Sequence, residues 1–330
     1  MKKNKIEKNK FNDKSCFLCG INLNKKNRTK EHVIPTWLQK RYNLWDQKLT
    51  LLNGTEIPYR YLTIPCCLTC NRKYLKPLED KIKKAVDEGY NFLKKIDKEI
   101  LFLWLGKIYF GLMYKELFLY YDQKDSNKGT ITTPEYIKSF YSHYMFLQGV
   151  RGLHKFRDFF PASIYIVNTQ SPKEKEEQWD FFDSQAMLIA CRLGKIGIIS
   201  VLQDGGITQK LEKNLSEYFS IPLHPIQFRE LIAKILYKTI LINRTPKYIS
   251  CEKDKYIETI QLPIMGLSNK PIFDNWDNNV YAKILSQLTN TPIKITNSNP
   301  KKTWTYMVDK NRKPIFLDIN KKTGNSKLNH

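Results

Sequence analysis

Two stretches decide the fold of the first part of this 330-residue chain, Cys16-Phe17-Leu18-Cys19 and Cys67-Leu68-Thr69-Cys70. Two residues between paired cysteines let both sulfurs reach one ion, and two pairs supply the four thiolates of a closed tetrahedral zinc site. Gly20 follows the first pair and can take the left-handed conformation that ends such a turn. The spacing therefore predicts a structural zinc, in preference to a redox pair or to buried cysteines that bind nothing.

The other cysteines and the apolar segments indicate the cellular compartment of the protein. Cys66, Cys191 and Cys251 are predicted to be ordinary thiols. The first ten residues are basic, but polar residues follow where a secretory signal needs an apolar core of about 7–15 residues. The apolar stretch 100–121 is interrupted by Lys107 and Lys115, so it predicts a buried core helix, since a membrane span needs about 20 apolar residues. We expect a cytoplasmic protein without a membrane segment, in which clustered cysteines indicate a metal before disulfides.

The composition excludes a disordered chain and indicates a polyanionic partner. Hydrophobic residues make up 42% of the chain, enough for a sizeable core, and the formal charge is +23. Residues 1–80 are the most basic part, with 17 Lys and Arg against 7 Asp and Glu. Each cation placed on a phosphate releases a counterion and gains affinity. Nucleic acid is therefore the favoured partner, and an acidic membrane surface is the alternative.

The chain is predicted to divide near Pro77, because proline suits the first turn of a new helix. Residues 1–76 would form a module with a basic N-terminal tail, and residues 77–330 an α+β domain. Helical spacing of apolar residues predicts an amphipathic helix over 78–98, and Thr133 is predicted to start another helix. Further helices are predicted over 208–218, 225–241 and 277–288, and strands over 163–167, 187–192, 196–202, 292–296, 304–308 and 314–318. Residues 321–330 are predicted to fray.

The segment between the cysteine pairs contains Lys30-Glu31-His32-Val33-Ile34-Pro35, and Asn71 directly follows the last cysteine. Hydrolysis of a phosphodiester needs a base that takes a proton from water and a divalent cation that neutralises charge on the phosphate. His32 can be that base, although a lone histidine is more often a structural hydrogen bonder. Glu31 and Asn71 offer the hard oxygen ligands that Mg²⁺ prefers. The pattern indicates a candidate catalytic site beside the zinc.

The combined pattern of Cys16-x-x-Cys19, Glu31-His32-Val33-Ile34-Pro35 and Cys67-x-x-Cys70-Asn71 resembles the HNH, or ββα-metal, nucleases. It is most similar to the endonuclease VII-like branch, and the resemblance covers residues 16 to about 76. It implies an N-terminal zinc-stabilised ββα-metal (treble-clef) module that hydrolyses DNA with Mg²⁺ or Mn²⁺, followed by a larger α+β domain. By this resemblance, His32 is the general base and Glu31 and Asn71 are the catalytic metal ligands. The implied zinc ligands are Cys16, Cys19, Cys67 and Cys70.

The residues around this motif are less specific indicators of function. A helix with Trp37, Leu38, Tyr42 and Trp45 and a hairpin at Asn53-Gly54, between 49–52 and 57–64, are predicted before the second cysteine pair. Those aromatics indicate local core packing before base stacking. Five basic residues near the motif are candidates for phosphate contacts, or else solvated surface charges: Lys25, Lys26, Arg28, Arg72 and Lys73.

The leading hypothesis is a metal-dependent endonuclease acting on DNA, with RNA not excluded. The first alternative is a zinc-organised nucleic-acid-binding module without catalysis. Its best support is Glu31, which stands where the family usually has Asp. The second alternative assigns the function to residues 77–330, which would sense a ligand or a partner protein and direct the nuclease. A large domain on a small nuclease is typical, by analogy, of restriction, phage defence or mobile elements. A protein partner or a homo-oligomer fits any of these hypotheses.

Overall fold

A computed structural model describes residues 11–51, 53–211, 219–262, 269–299 and 303–320. Helix makes up 39% and strand 21% of the structure, which confirms the predicted α+β class. The chain forms two compact units. The first unit contains residues 1–88, 95–160 and 248–261, and the second contains residues 89–94, 161–247 and 262–330. Residues 95–160 and 248–261 thus belong with the cysteine pairs, and independent folding of 1–76 and 77–330 stays a prediction.

The elements are numbered in chain order. The strands are β1 (Arg28–His32), β2 (Lys48–Thr50), β3 (Glu56–Pro58), β4 (Thr63–Cys67), β5 (His154–Phe156), β6 (Ser163–Asn168), β7 (Trp179–Asp183), β8 (Leu188–Leu193), β9 (Ile196–Val201), β10 (Tyr248–Glu252) and β11 (Ile257–Gln261). The helices are α1 (Thr36–Arg41), α2 (Lys76–Glu88), α3 (Tyr90–Leu93), α4 (Lys98–Glu116), α5 (Pro134–Ser139), α6 (Tyr141–Leu147), α7 (Ile207–Leu211), α8 (Pro225–Ile240), α9 (Asn278–Thr289) and α10 (Ile293–Thr296). A π-helical segment, Cys70–Leu75, leads directly into α2.

The first unit is built around a two-stranded antiparallel ribbon of β1 and β4, in which Glu31 lies opposite Ile64. The predicted hairpin is present as β2 and β3, and Gly54 at its turn has a positive φ of 81°; Leu52 lies outside the described residues. Strands β10, β11 and β5 form a separate three-stranded sheet of this unit, in which β11 runs parallel to β5.

Helix α4 is the core of the first unit and confirms the predicted buried helix, but it ends at Glu116, before the exposed residues Tyr120 and Tyr121 of the predicted stretch. Its residues are buried on every side because apolar side chains surround the whole helix. Gly111 allows a close approach to β4 and to the residue that follows β1, since a Cβ there would lie 3.1 Å from Val33 and 3.4 Å from Ile64. Among the described residues, no helix combines the length and the apolar character that crossing a membrane requires.

The second unit contains an antiparallel sheet in the order β6, β9, β8, β7. The predicted strands correspond to β6, β8 and β9, which are buried, whereas the half-buried β7 was not predicted. Phe228 of α8 packs on this sheet at Gly197, where a Cβ would lie 2.5 Å from the ring. Helices α8 and α9 match the predictions over 225–241 and 277–288. The predicted helix over 208–218 is described only to Leu211, and residues 321–330 lie outside the described part.

Four predicted segments differ in the structure, one because of a local backbone conformation and three because of tertiary contacts. The helix predicted over 78–98 ends at Glu88, because Gly89 adopts φ 92°, which breaks the helical path. Residues 293–296 form helix α10 and not a strand. Pro292 occupies the position before its first turn, and the Thr296 hydroxyl donates to the Ala282 carbonyl over 2.9 Å. Tertiary contacts thus override the β-propensity of Ile293 and Ile295.

The strands predicted over 304–308 and 314–318 are reduced to one isolated bridge between Val308 and Pro314. Side chains of α8 bind the backbone there. The Gln227 amide donates to the carbonyls of Tyr306 and Ile315 over 2.8 and 2.7 Å, and Glu230 accepts from the Tyr306 backbone N–H over 2.6 Å. These side chains satisfy backbone groups that a strand partner would otherwise satisfy.

Replacing Glu230 with glutamine should stabilise the protein at alkaline pH. Burial raises the pKa of Glu230 to about 7, and the carboxyl also accepts a hydrogen bond from the Thr305 hydroxyl. An unfolded chain returns this carboxyl to a pKa near 4.3, so stability falls as pH rises from about 4.5 through 7. Glu230→Gln should add about 1–3 kcal/mol to the free energy of unfolding at pH 8 and little at pH 5. Urea unfolding of both proteins at each pH measures this.

When the wild type and Glu230→Gln are compared at the same pH, the contributions of all other titrating groups to the free energy of unfolding cancel. Glu135→Gln, which changes a glutamate whose side chain is 76% exposed, is the matched control and should have no effect at either pH. An equal effect of Glu230→Gln at pH 5 and pH 8 would contradict the prediction.

Candidate metal and catalytic site

The structure brings the four predicted zinc ligands together. The sulfurs of Cys16, Cys19, Cys67 and Cys70 all lie within 4.8 Å of one another, and all four residues are buried. The Cys19 and Cys67 sulfurs are 3.8 Å apart. A tetrahedral zinc with bonds of about 2.3 Å places its sulfurs about 3.8 Å apart. The donor set and its spacing therefore fit a zinc ion.

The backbone around each cysteine pair prepares this cluster. Gly20 has the predicted positive φ of 76°, and its N–H donates to the Cys16 carbonyl over 2.9 Å. In the second pair, the Cys70 N–H donates to the Cys67 sulfur over 3.3 Å. The fifth cysteine of this region, Cys66, lies outside the cluster, although its sulfur is 4.0 Å from that of Cys16. Both turns direct their sulfurs to one point because the turns are fixed by backbone hydrogen bonds.

The four thiols constrain one another electrostatically. The hydrogen bond with Cys19 is the main cause that lowers the pKa of Cys16. Hydrogen bonds within the cluster, above all those with Cys16, raise the pKa of Cys19 and of Cys70 far above that of a free thiol. A divalent cation removes this conflict because it stabilises several thiolates at once.

Strand β1 places Glu31 and His32 on opposite faces, since side chains alternate along a strand. Glu31 points inward with a side chain that is 9% exposed, whereas His32 is half-buried. Asn71 lies in the π-helical segment, and its amide donates to the Glu31 carboxylate over 3.0 Å and to the Lys30 carbonyl over 3.2 Å. Segments of π-helix are rare and often occur at functional sites. The structure therefore joins two of the predicted catalytic residues, Glu31 and Asn71, directly, whereas the side chain of His32 lies on the other face of β1.

The imidazole of His32 lies between two side chains of the following segment. The Gln39 amide is 3.5 Å from Nδ1, and the Trp45 ring centroid is 6.0 Å from that of the imidazole. Burial lowers the pKa of His32, and the positive charge of Lys107 lowers it further. A neutral imidazole at pH 7 is the form that can accept a proton.

Sequence reasoning missed two residues of this site, Lys107 of α4 and Glu79 of α2. The Lys107 ammonium lies 2.8 Å from the Glu31 carboxylate and 2.7 Å from that of Glu79. It also donates to the backbone carbonyls of His32 and Val33 over 3.1 and 3.3 Å. The side chain of Lys107 is fully buried. A lysine within an otherwise apolar stretch was a usable signal, because a buried cation requires a partner.

The predicted phosphate-binding residues are all exposed: Lys25, Lys26, Arg28, Arg72 and Lys73. Arg28 donates from its guanidinium to the Asp13 carbonyl over 2.9 Å, and the Lys73 ammonium lies 5.5 Å from the Tyr74 ring centroid. Their exposure is compatible with phosphate contacts and also with ordinary surface charge, so their role stays a prediction.

Glu31 and Asn71 fit a hard divalent cation in the chemistry of their donors. Each oxygen of the Glu31 carboxylate already accepts one hydrogen bond, from Lys107 or from Asn71, and keeps a second lone pair. Carboxylate and amide oxygens are the ligands that Mg²⁺ and Mn²⁺ take together with several waters. The carboxylate is thus suited to a metal but is already neutralised by an ammonium.

Comparison of this chain with models of known protein families, with curated proteins and with solved structures finds no match.

Proposed function

We propose that the protein is a metal-dependent endonuclease of the HNH, or ββα-metal, class that hydrolyses phosphodiester bonds of DNA. The observation that carries the proposal is the contact of Asn71 with Glu31, which joins the residues after the last cysteine to the strand that holds His32. Asn71 directly follows Cys70 of the four-cysteine cluster that fits zinc, and Glu31 and His32 are consecutive residues of β1. This is the constellation that the resemblance requires.

The order of the elements supports the proposal. Strands β1 and β4 form an antiparallel ribbon, and the helical segment that starts at Cys70 follows β4. A zinc bound between the two cysteine pairs would hold the turn before β1, the end of β4 and the start of this helix together. The zinc would therefore fix Asn71 relative to Glu31 within the small tolerance that catalysis needs.

The proposed chemistry assigns a separate task to each group. His32 takes a proton from a water molecule, and the water oxygen attacks phosphorus while the bond from phosphorus to the leaving oxygen breaks. A divalent ion bound by Glu31 and Asn71 would neutralise charge on the phosphate and on the leaving oxygen. The exposed basic residues near the cysteine pairs contact neighbouring phosphates and hold the nucleic acid in place.

One observation favours the alternative, a zinc-organised nucleic-acid-binding module without catalysis. The ammonium of Lys107 already neutralises the carboxylate of Glu31 at 2.8 Å. A permanently paired carboxylate is a weaker metal ligand than a free one. Residues 77–330 are predicted to serve recognition or sensing in phage defence, restriction or a mobile element. This prediction is the same for the nuclease and for the binding module.

The wild-type protein should nick or cut supercoiled plasmid DNA when Mg²⁺ or Mn²⁺ is added, and EDTA should stop the reaction. Gel electrophoresis of the plasmid over time measures the cleavage. DNA binding should weaken steeply with salt because it depends on Lys and Arg. A protein that binds DNA but leaves linear, branched and single-stranded DNA and RNA intact with every metal would overturn the nuclease proposal in favour of the binding module.

A further inference from the structure

Trp45 differs from the other three side chains that the sequence predicts to pack in a local core. Leu38 and Tyr42 are buried and Trp37 is half-buried, in agreement with that prediction. By contrast, Trp45 is 44% exposed. Packing within the core therefore does not account for the indole of Trp45.

The Trp45 indole borders the imidazole of His32. The two ring centroids are 6.0 Å apart, and the ring planes meet at 41°. Backbone hydrogen bonds hold the turn that contains Trp45: its carbonyl accepts from the Arg60 N–H over 3.4 Å, and the Leu44 N–H donates to the Gln39 carbonyl over 2.8 Å. The exposed ring thus has a defined position next to the proposed general base.

Cationic side chains lie near these two rings. Lys30 is exposed and precedes His32 by two residues in β1, so both side chains extend from the same face of the strand. The Arg60 guanidinium pairs with Asp46 and lies 4.7 Å from the ring centroid of Tyr61, which is exposed. Exposed rings combined with cations are typical of surfaces that bind nucleic acid strands, since bases stack on the rings and phosphates contact the cations. Ring type and charge therefore indicate a nucleic acid strand as the occupant.

We propose that Trp45 stacks on an unpaired nucleobase and that the site acts on single-stranded DNA. One sugar joins each base to its phosphate, so a base on Trp45 would bring a neighbouring phosphate to His32. In a duplex, adjacent base pairs cover both faces of every base, and a nucleotide must leave the stack at a cost in free energy before it can reach the indole. Trp45 is thus a substrate-binding residue that determines specificity.

This inference deepens the proposed function and rests on it for the location of the scissile phosphate beside His32. Negative supercoiling favours local unpairing, so a supercoiled plasmid also presents unpaired bases to the site. A relaxed linear duplex presents them only at its ends. The binding preference of the protein is therefore the property that distinguishes stacking on Trp45 from contacts with phosphates alone.

Fluorescence anisotropy of labelled DNA, measured without added divalent metal so that nothing is cut, tests the inference. The probes are a short single strand and the blunt duplex of the same sequence. The wild type should bind the single strand about tenfold more tightly, although the higher charge density of the duplex favours the duplex electrostatically. Trp45→Ala should weaken single-strand binding by about tenfold or more, the effect of losing one stacked base, and should leave duplex binding unchanged.

Two further measurements separate stacking from a structural role of Trp45. Trp45→Phe retains an aromatic face and should bind the single strand within about threefold of the wild type. A fully abasic single strand keeps every phosphate but has no base, so the wild type and Trp45→Ala should bind it equally well.

The matched control is Trp276→Ala in the second unit, because Trp276 is also a partly exposed indole, at 38%. This variant should bind every probe as the wild type does. Circular dichroism and zinc content establish that each variant is folded. Wild-type affinity of Trp45→Ala for the single strand would overturn the inference, and so would a loss of affinity that is equal for the single strand, the duplex and the abasic strand.

The outcomes also separate this inference from the proposed function. A wild type that prefers the single strand through Trp45 but cuts no substrate would overturn the nuclease and support the stacking. A wild type that cuts DNA, together with a Trp45→Ala variant that binds the single strand equally well, would overturn the stacking alone.

Discussion

Replacing His32 with alanine should reduce DNA cleavage by about 10²- to 10⁴-fold, the usual contribution of a general base. The variant should keep its zinc, its fold and its affinity for DNA, because the imidazole is half-buried at the end of β1 and the proposed phosphate contacts come from other residues. The rate of plasmid nicking at saturating Mg²⁺ measures the effect, and elemental analysis measures the zinc.

The matched control for this variant is His224→Asn in the second unit. His224 caps the N-terminus of α8 by accepting from the Ile226 N–H over 3.2 Å, and asparagine is also a good N-cap. This variant should cut DNA as fast as the wild type. If His32→Ala also cuts at the wild-type rate while it retains zinc, the assignment of the catalytic site is wrong.

Replacing Cys67 with serine should remove the zinc and unfold the first unit. The purified wild type should contain about one zinc per chain, and the variant close to none. Structural zinc sites supply an apparent 10–16 kcal/mol in small zinc-finger peptides, so loss of one thiolate has a large effect on folding. Elemental analysis and circular dichroism follow the two changes together.

Cys251→Ser is the control for the cysteine variant, because Cys251 lies in the same unit on β10 but is exposed. It should retain both zinc and fold. A wild type that is prepared without chelator, contains no zinc and is nevertheless fully folded would contradict the structural role of the four cysteines.

The local features of the first unit were predictable because short-range rules decide them. The spacing of the cysteines sets the two turns, and the structure brings the four sulfurs together as expected. The apolar composition of residues 100–114 requires burial on all sides, and α4 is buried. The hairpin at Asn53-Gly54 follows from a turn sequence that tolerates positive φ.

The interior of the candidate site was not predictable, because it depends on contacts between distant segments. Lys107 was identified only as an interruption of an apolar stretch, whereas it contacts carboxylates 76 and 28 residues away. The sheet of β5, β10 and β11 likewise depends on residues far apart in sequence. Residues 304–318 have the composition of strands, but buried polar side chains of α8 bind their backbone. No local pattern contains that information.

The late position of β10 and β11 in the sequence affects how the protein is made. Strand β5 pairs with β11, and Ile257 lies opposite His154. A ribosome that adds about 5–20 residues per second must first complete residues 161–247, which takes several seconds. A truncated product that stops before Tyr248 would contain every proposed catalytic residue but would lack the strand that pairs with β5. The unit that contains His32 is therefore completed only after most of the chain has been translated.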